Sequence, residues 1–140
     1  MLALMLAGLS LLGADLSEPA KKDLATLQGQ WIIERIDSTE TKYERKEGEN
    51  DIILEFKEQK LLVNGNEVAD VVNLFPENNP RCLDIQRKEG GDGKPDEGIY
   101  KVDGNALSIS IYVGGGAKER PGNFDVPTKA GTILVTLKRK

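Results

Sequence analysis

The stretch that decides the fold runs from Gly98 to Ile111 and reads GIYKVDGNALSISI. Apolar and polar residues alternate on both sides of Asp103-Gly104, and an Asp-Gly pair between two such runs is a strong short-range signal of a β-hairpin. Asn64-Gly65 is a second signal of this kind, because both central residues of that turn need a positive φ. The chain is therefore expected to be an antiparallel β protein.

Short alternating runs of the same kind continue along the chain after Leu24. Together with the two strands of the 98–111 hairpin they predict eight strands, and the other six are expected at 30–36, 51–56, 60–63, 67–75, 81–86 and 132–138. Closely spaced short strands with turn residues between them are typical of a β-sandwich or a small β-barrel. No helical stretch is long enough for a crossover connection, which argues against a parallel sheet. Asp23 is expected to cap a single helical turn that ends near Leu27.

Composition excludes several classes of function. The chain has 140 residues and a net charge of −4, with acidic and basic residues interleaved, so no basic surface for nucleic acid is expected. It contains no histidine, which removes the most common general base and the most common transition-metal ligand. Its one cysteine, Cys82, excludes an intrachain disulfide and a cysteine-based zinc cluster. An enzyme is therefore disfavoured, and no cofactor or metal is expected.

The N-terminal residues differ in kind from the rest. Residues 2–14 carry no charge and are almost wholly apolar. This run is too short to cross a bilayer as a helix, and its length suits the apolar region of a secretory signal peptide. We therefore expect a signal peptide at 1–14, a linker at 15–23 and one domain at 24–140, located in the periplasm or outside the cell. An ordinary N-terminal helix is the alternative.

Four motifs in this order resemble a family of small lipocalin-like proteins that is abundant in planctomycete bacteria. They are Leu27-Gln28-Gly29-Gln30-Trp31, the hairpin from Gly98 to Leu107, the segment Arg120-Pro121-Gly122-Asn123-Phe124, and the last strand from Thr132 to Arg139. The resemblance covers nearly all of the chain after residue 14. It implies an eight-stranded antiparallel up-and-down barrel of the lipocalin (calycin) type, and it implies no established activity.

The resemblance also implies a structural role for Gly29, Trp31 and Arg139. In lipocalin-like barrels the tryptophan of the first strand closes the barrel floor under a basic residue of the last strand. Arg139 has the same parity as the apolar residues of its strand, so it is expected to stack on the Trp31 ring.

Other candidate sites have simpler interpretations. Asp92, Asp96 and Glu97 lie in a Gly-rich segment that superficially resembles a calcium loop, but the spacing lacks the alternating ligands of an EF-hand, so a solvated loop is favoured. Gly114-Gly115-Gly116 lacks the Gly-Lys-Ser/Thr ending of a phosphate loop. Ser108 and Ser110 are expected to be surface serines, and Cys82 a small unreactive side chain, with a reactive or dimer-forming thiol as the alternative.

Two functional classes remain open. The first is a monomeric barrel that binds a small apolar ligand, with interior candidates predicted from strand parity: Ile52, Leu54, Phe56, Leu83, Ile85, Tyr100, Val102, Leu107, Ile109 and Ile111. The second is a barrel filled by its own side chains that contacts a protein partner through the predicted loops 39–50 and 114–129. Neither class predicts stable membrane insertion, and the fold alone does not decide between them.

Overall fold

The computed structural model describes residues 15–90, 93–113 and 119–140. These residues form one helix and nine strands. The elements are α1 (Glu18–Leu27), β1 (Gly29–Asp37), β2 (Lys42–Glu44), β3 (Ile53–Lys57), β4 (Lys60–Val63), β5 (Asn66–Phe75), β6 (Arg81–Arg87), β7 (Asp96–Asp103), β8 (Ala106–Tyr112) and β9 (Thr132–Arg139). The predicted leader at 1–14 and the glycine run at 114–116 lie outside the described residues.

The sheet closes on itself. Strands β1 and β3 to β9 pair with their neighbours in sequence order, always antiparallel, and β9 returns to pair with β1. This arrangement is an eight-stranded antiparallel up-and-down barrel, so the predicted fold class is confirmed. Closure leaves no free edge among these eight strands, which removes a common route to edge-to-edge aggregation.

The Asn64-Gly65 turn is confirmed, and the second hairpin forms as predicted with its turn at Gly104-Asn105, one residue later than the expected Asp103-Gly104. Val63 pairs with Asn66, and the two residues between them, Asn64 and Gly65, have φ values of 49° and 87°. Asp103 pairs with Ala106 at the end of the β7–β8 hairpin, where Gly104 takes a φ of 61°. Asn and Gly tolerate this backbone region at low cost, and the turns therefore set the register of the strands that they join.

The predicted linker at 15–23 is wrong, because most of it belongs to α1. Ser17 caps the helix, and its hydroxyl accepts a hydrogen bond from the Ala20 amide at 3.2 Å. Proline at the start of a helix costs no backbone hydrogen bond, so Pro19 does not end the element. Asp23 therefore lies inside the helix and does not cap it. Ala20, Leu24 and Leu27 are buried in the barrel core.

Two further corrections concern β1 and its surroundings. The sequence predicts Ile36 on the face opposite Trp31 and Ile33, but an irregularity in pairing between Ile33 and Arg35 brings Ile36 against the same core. An extra residue in a strand reverses the alternation beyond it. The predicted loop 39–50 contains the short strand β2, which pairs with the end of β1 and adds a ninth strand beside the barrel.

The two ends of the barrel differ in what covers them. Helix α1, the β3–β4 turn and the β7–β8 turn lie at one end, which we call the closed end. The opposite end, which we call the open end, carries the β4–β5 turn and the connections from β6 to β7 and from β8 to β9. The largest fully buried core side chains are Trp31, Tyr100, Phe56, Leu27, Leu83, Leu107 and Leu137.

Candidate functional site

The predicted floor residues Trp31 and Arg139 meet at the closed end. Trp31 is fully buried, and its indole N–H donates to the Leu27 carbonyl at 2.9 Å. The guanidinium carbon of Arg139 lies 3.9 Å from the centroid of the Trp31 ring. The same guanidinium donates to the carbonyl groups of Thr26 (2.9 Å) and Gln28 (2.7 Å). Arg139 thus stacks on the tryptophan and also satisfies carbonyl groups at the C-terminal end of α1, which have no partner within the helix.

The residues between α1 and Trp31 complete this arrangement. Gly29 has a φ of 106°, a value that side chains other than glycine rarely adopt, and it lies against the Arg139 guanidinium. The Gln28 side chain donates to the Glu58 carbonyl at 2.9 Å and accepts from the Glu58 amide at 2.7 Å. The motif from Leu27 to Trp31 therefore ties the helix, the β3–β4 turn and the last strand together.

A second polar contact fastens α1 to the barrel wall. The Tyr100 hydroxyl donates to Asp23, and Arg81 Nη1 lies 3.2 Å from the other carboxylate oxygen of Asp23. Burial raises the pKa of Tyr100 well above its ordinary value, and the hydrogen bond to Asp23 raises it further. Tyr100 is consequently a neutral donor near pH 7. The closed end is a packed and hydrogen-bonded plug.

The interior candidates fall into two groups. All ten residues predicted from parity belong to the core or pack against it. Phe56, Leu83, Tyr100 and Leu107 are at most 1% exposed, and Ile85, Ile109 and Ile111 are also buried. Ile52, Leu54 and Val102 are only half-buried. Val102 lies beside the closed end, next to the β7–β8 turn, whereas Leu54 pairs with Val63 beside the β4–β5 turn of the open end as well as with Trp31, and Ile52 lies further from the closed end.

The open end collects further half-buried apolar side chains that pack against the core. Ile36 pairs directly with Val135, and Ile111 pairs with Ile133. Ile36, Ile133 and Val135 share the intermediate exposure of Ile52 and Leu54. We call these five residues the mouth group. They form an apolar lining on several strands that is accessible to solvent.

An ion pair lies at the same end. Asp96 pairs with Ile85, and Arg87 follows Ile85 by two residues, so both have the parity of the inward face. Arg87 Nε lies 2.6 Å from one Asp96 oxygen, and Nη2 donates to the other oxygen at 3.3 Å and to the Val113 carbonyl at 3.5 Å. Arg87 is not among the residues predicted from the sequence to face the interior, although it has the same parity on β6 as Leu83 and Ile85.

The solvated loop predicted for the Gly-rich segment around Asp92, Asp96 and Glu97 is shorter than expected. Asp96 and Glu97 belong to β7, where Asp96 holds Arg87 and Glu97 lies 3.6 Å from Arg120. Asp92 is not among the described residues. Within the ranges that the structure describes, no three acidic or cysteine side chains form a group suited to a metal ion.

A strap, which we define as residues 119–131, crosses the outer face of the barrel. Arg120 fastens it, donating to the carbonyl groups of Leu83 (3.1 Å) and Gly98 (2.8 Å) and to the Asp84 carboxylate (2.8 Å). The Phe124 ring lies 4.7 Å from the Lys101 ammonium. Arg120 and Phe124 are the two ends of the motif noted in the sequence, and both hold the strap in place.

The prediction that Ser110 is a surface serine is wrong. Ser110 lies on the outer face of β8 as expected, but it is 1% exposed and lines a cleft beneath the strap, whereas Ser108 is half-exposed. Cys82 is buried on the outer face beside Pro80 and Asn78, and its thiol is the one free thiol in the chain.

The mouth group provides apolar contacts, and the Arg87–Asp96 ion pair provides charged groups on the same inward face. This combination suits the binding of a small molecule. Comparisons with protein-family models, with curated proteins and with solved structures returned no match. Of the helices in the described ranges, none has the length and apolar character needed to span a membrane.

Proposed function

We propose that this protein is a binding module that holds a small apolar or amphipathic molecule at the open end of the barrel. The observation that carries the proposal is the contrast in exposure along the inward face. Apart from Val102, core side chains at the closed end are almost completely buried, whereas the mouth group is apolar and half-buried. Covering these side chains with a ligand contributes about 25 cal/mol per Å² of apolar surface removed from water.

The Arg87–Asp96 pair favours an amphipathic molecule over a purely apolar one. Its charged atoms lie on the same inward parity as the mouth group, so a polar end of a ligand finds both donors and an acceptor there. Because the two charges compensate each other, neither an anionic nor a cationic head group is selected by net charge. The apolar run at 2–14 supports the further expectation that the protein acts outside the cytoplasm.

The alternative is a filled barrel that acts as a protein-interaction module. The tight packing at the closed end supports it, since the core side chains there already bury one another. Its predicted contact surfaces, 39–50 and 114–129, now include β2 and most of the strap. In that case the mouth group is the partly exposed rim of a barrel that its own side chains fill.

Two measurements distinguish these functions. Native mass spectrometry of protein purified gently from its host envelope is expected to show a discrete adduct that organic solvent releases. In parallel, a fluorescent apolar probe is titrated into wild type, Leu54→Asn and Ile53→Asn. Leu54 packs against the core, and its sequence neighbour Ile53 has the opposite strand parity, so the pair forms a matched test.

We expect Leu54→Asn to weaken probe binding about tenfold and Ile53→Asn to leave it nearly unchanged. Bare protein in the mass spectrum, together with equal probe binding by both variants, contradicts the proposal and supports the filled barrel.

A further inference from the structure

The strap and the outer faces of β8 and β9 enclose a cleft that is separate from the open end. Its volume is about 380 Å³, within the range of small-molecule pockets. Ser110, Tyr112 and Thr132 form its floor, and strap residues from Glu119 to Ala130 form its walls. Ser110 and Thr132 belong to strands whose opposite face fills the barrel core, so the floor is held by the sheet.

The floor is rich in hydroxyl groups. Ser110 is 1% exposed and lines the cleft. Thr132 and Thr128 add two more hydroxyl groups to the lining, and Asn123 adds an amide. Hydroxyl groups both donate and accept, which matches a ligand that carries hydroxyl groups itself.

The charges around the cleft do not select an anion. Arg120 is turned towards Asp84 and two main-chain carbonyl groups. Lys129 lies 3.5 Å from Glu119. The remaining acidic residue of the walls, Asp125, repels anions and accepts hydrogen bonds from hydroxyl groups.

Sheet topology argues against an extended peptide as the occupant. A peptide strand binds to a sheet by hydrogen-bonding to a free edge. Both β8 and β9 are paired on both sides, so neither offers an edge at the cleft. A compact ligand is therefore favoured over a chain.

We propose that this cleft is a second binding site, and that it takes a small neutral polyhydroxylated molecule of the sugar class. The site is independent of the apolar site at the open end, because Ser110 and Ile111 have opposite parity and face opposite sides of the barrel wall. One barrel would then bind an apolar molecule inside and a polar one outside.

The test uses amide chemical shifts of the isotope-labelled full chain, titrated separately with methyl glucoside, cyclohexanol and glucose phosphate. These probes are a neutral polyol, an apolar ring of similar size and an anion. Methyl glucoside is expected to shift the amides of Ser110, Asn123 and Thr132 and to leave Leu54 and Val135 unchanged. The latter two amides report the open end, so the two proposals succeed or fail independently.

Ser110→Ala and Ser108→Ala form the matched pair, since both serines have the same parity on β8 and only Ser110 lines the cleft. We expect Ser110→Ala to weaken methyl glucoside binding about tenfold and Ser108→Ala to leave it unchanged. If Ser110→Ala fails to fold, Thr132→Val replaces it, and this variant is also expected to weaken methyl glucoside binding. The proposal is overturned if methyl glucoside shifts no cleft amide, if cyclohexanol or glucose phosphate binds there more tightly, or if both serine variants behave alike.

Discussion

The closed and open ends of this barrel are built from the same strands with the same inward alternation, yet only one end is sealed. At the closed end, Trp31 and Tyr100 each combine complete burial with a hydrogen bond to α1. At the open end, Leu54 and Val135 pack against the core but remain only half-buried. The comparison shows that alternation places apolar side chains inside a barrel, whereas sealing it requires a separate element held by polar contacts.

The largest effect is expected from removing the centre of the closed end. Trp31→Ala should lower the free energy of unfolding by about 3–5 kcal/mol, because it leaves a large cavity and frees Arg139 from its stacking partner. Leu54→Ala removes a half-buried side chain and should cost clearly less. Denaturant unfolding of both variants measures the difference. Equal losses at the two ends, or an unchanged stability of Trp31→Ala, would show that the closed end is not a distinct structural unit.

A smaller loss in the free energy of unfolding is expected where Arg139 of the last strand contacts the end of α1, a contact that we call the seam. Arg139→Lys keeps the charge but loses the planar group that stacks on Trp31 and donates to two carbonyl groups at once. The expected loss is about 1–2 kcal/mol, measured by thermal or denaturant unfolding.

Lys138→Ala is the control for this seam, since Lys138 is the exposed neighbour of Arg139 and its ion pair with Glu34 lies at the surface. Its effect should be within a few tenths of a kcal/mol. If Arg139→Lys proves as mild as this control, the guanidinium geometry contributes nothing to the seal.

The smallest loss in the free energy of unfolding is expected for a change at Tyr100, and this loss depends on pH. Near neutral pH, Tyr100→Phe should cost about 1 kcal/mol for the lost hydrogen bond to Asp23. Folding raises the pKa of Tyr100, so above about pH 10 the unfolded chain releases this proton while the folded protein retains it. The stability of the wild type should therefore fall with rising pH in that range.

Tyr100→Phe lacks this proton, so the stability gap between the two proteins should narrow and then reverse above about pH 10. Unfolding curves at matched pH values measure the gap, and the other tyrosines and the lysines are common to both proteins. A constant gap up to pH 11 or so would mean that the phenol ionises as readily in the folded state as in the unfolded one.

Much of the wall of the barrel could be predicted from local sequence. The turns at Asn64-Gly65 and Gly104-Asn105 and the alternation on either side of them determine which residues face inward. Period-two alternation suffices because a strand has only two faces. The pairing of Arg139 with Trp31 was expected from parity together with the family resemblance, and the structure brings these two side chains together.

The elements that were missed depend on partners distant in sequence. Helix α1 has Pro19 in its first turn and too few residues to be stable alone, and contacts with Tyr100, Arg81 and Trp31 hold it in place. The shift in pairing after Ile33 has no local signal, and neither does the burial of Ser110 beneath the strap.

The sequence by itself determined the all-β class, the hairpins and most of the inward set, because each follows from turn chemistry and alternation between near neighbours. Tertiary structure alone decided which end is sealed, how Arg87 and Asp96 meet, and where the strap leaves a polar cleft. These features join residues that lie far apart in the chain, as when Arg120 bonds to the Leu83 carbonyl or Arg139 to that of Gln28. Their geometry exists only once the barrel has closed.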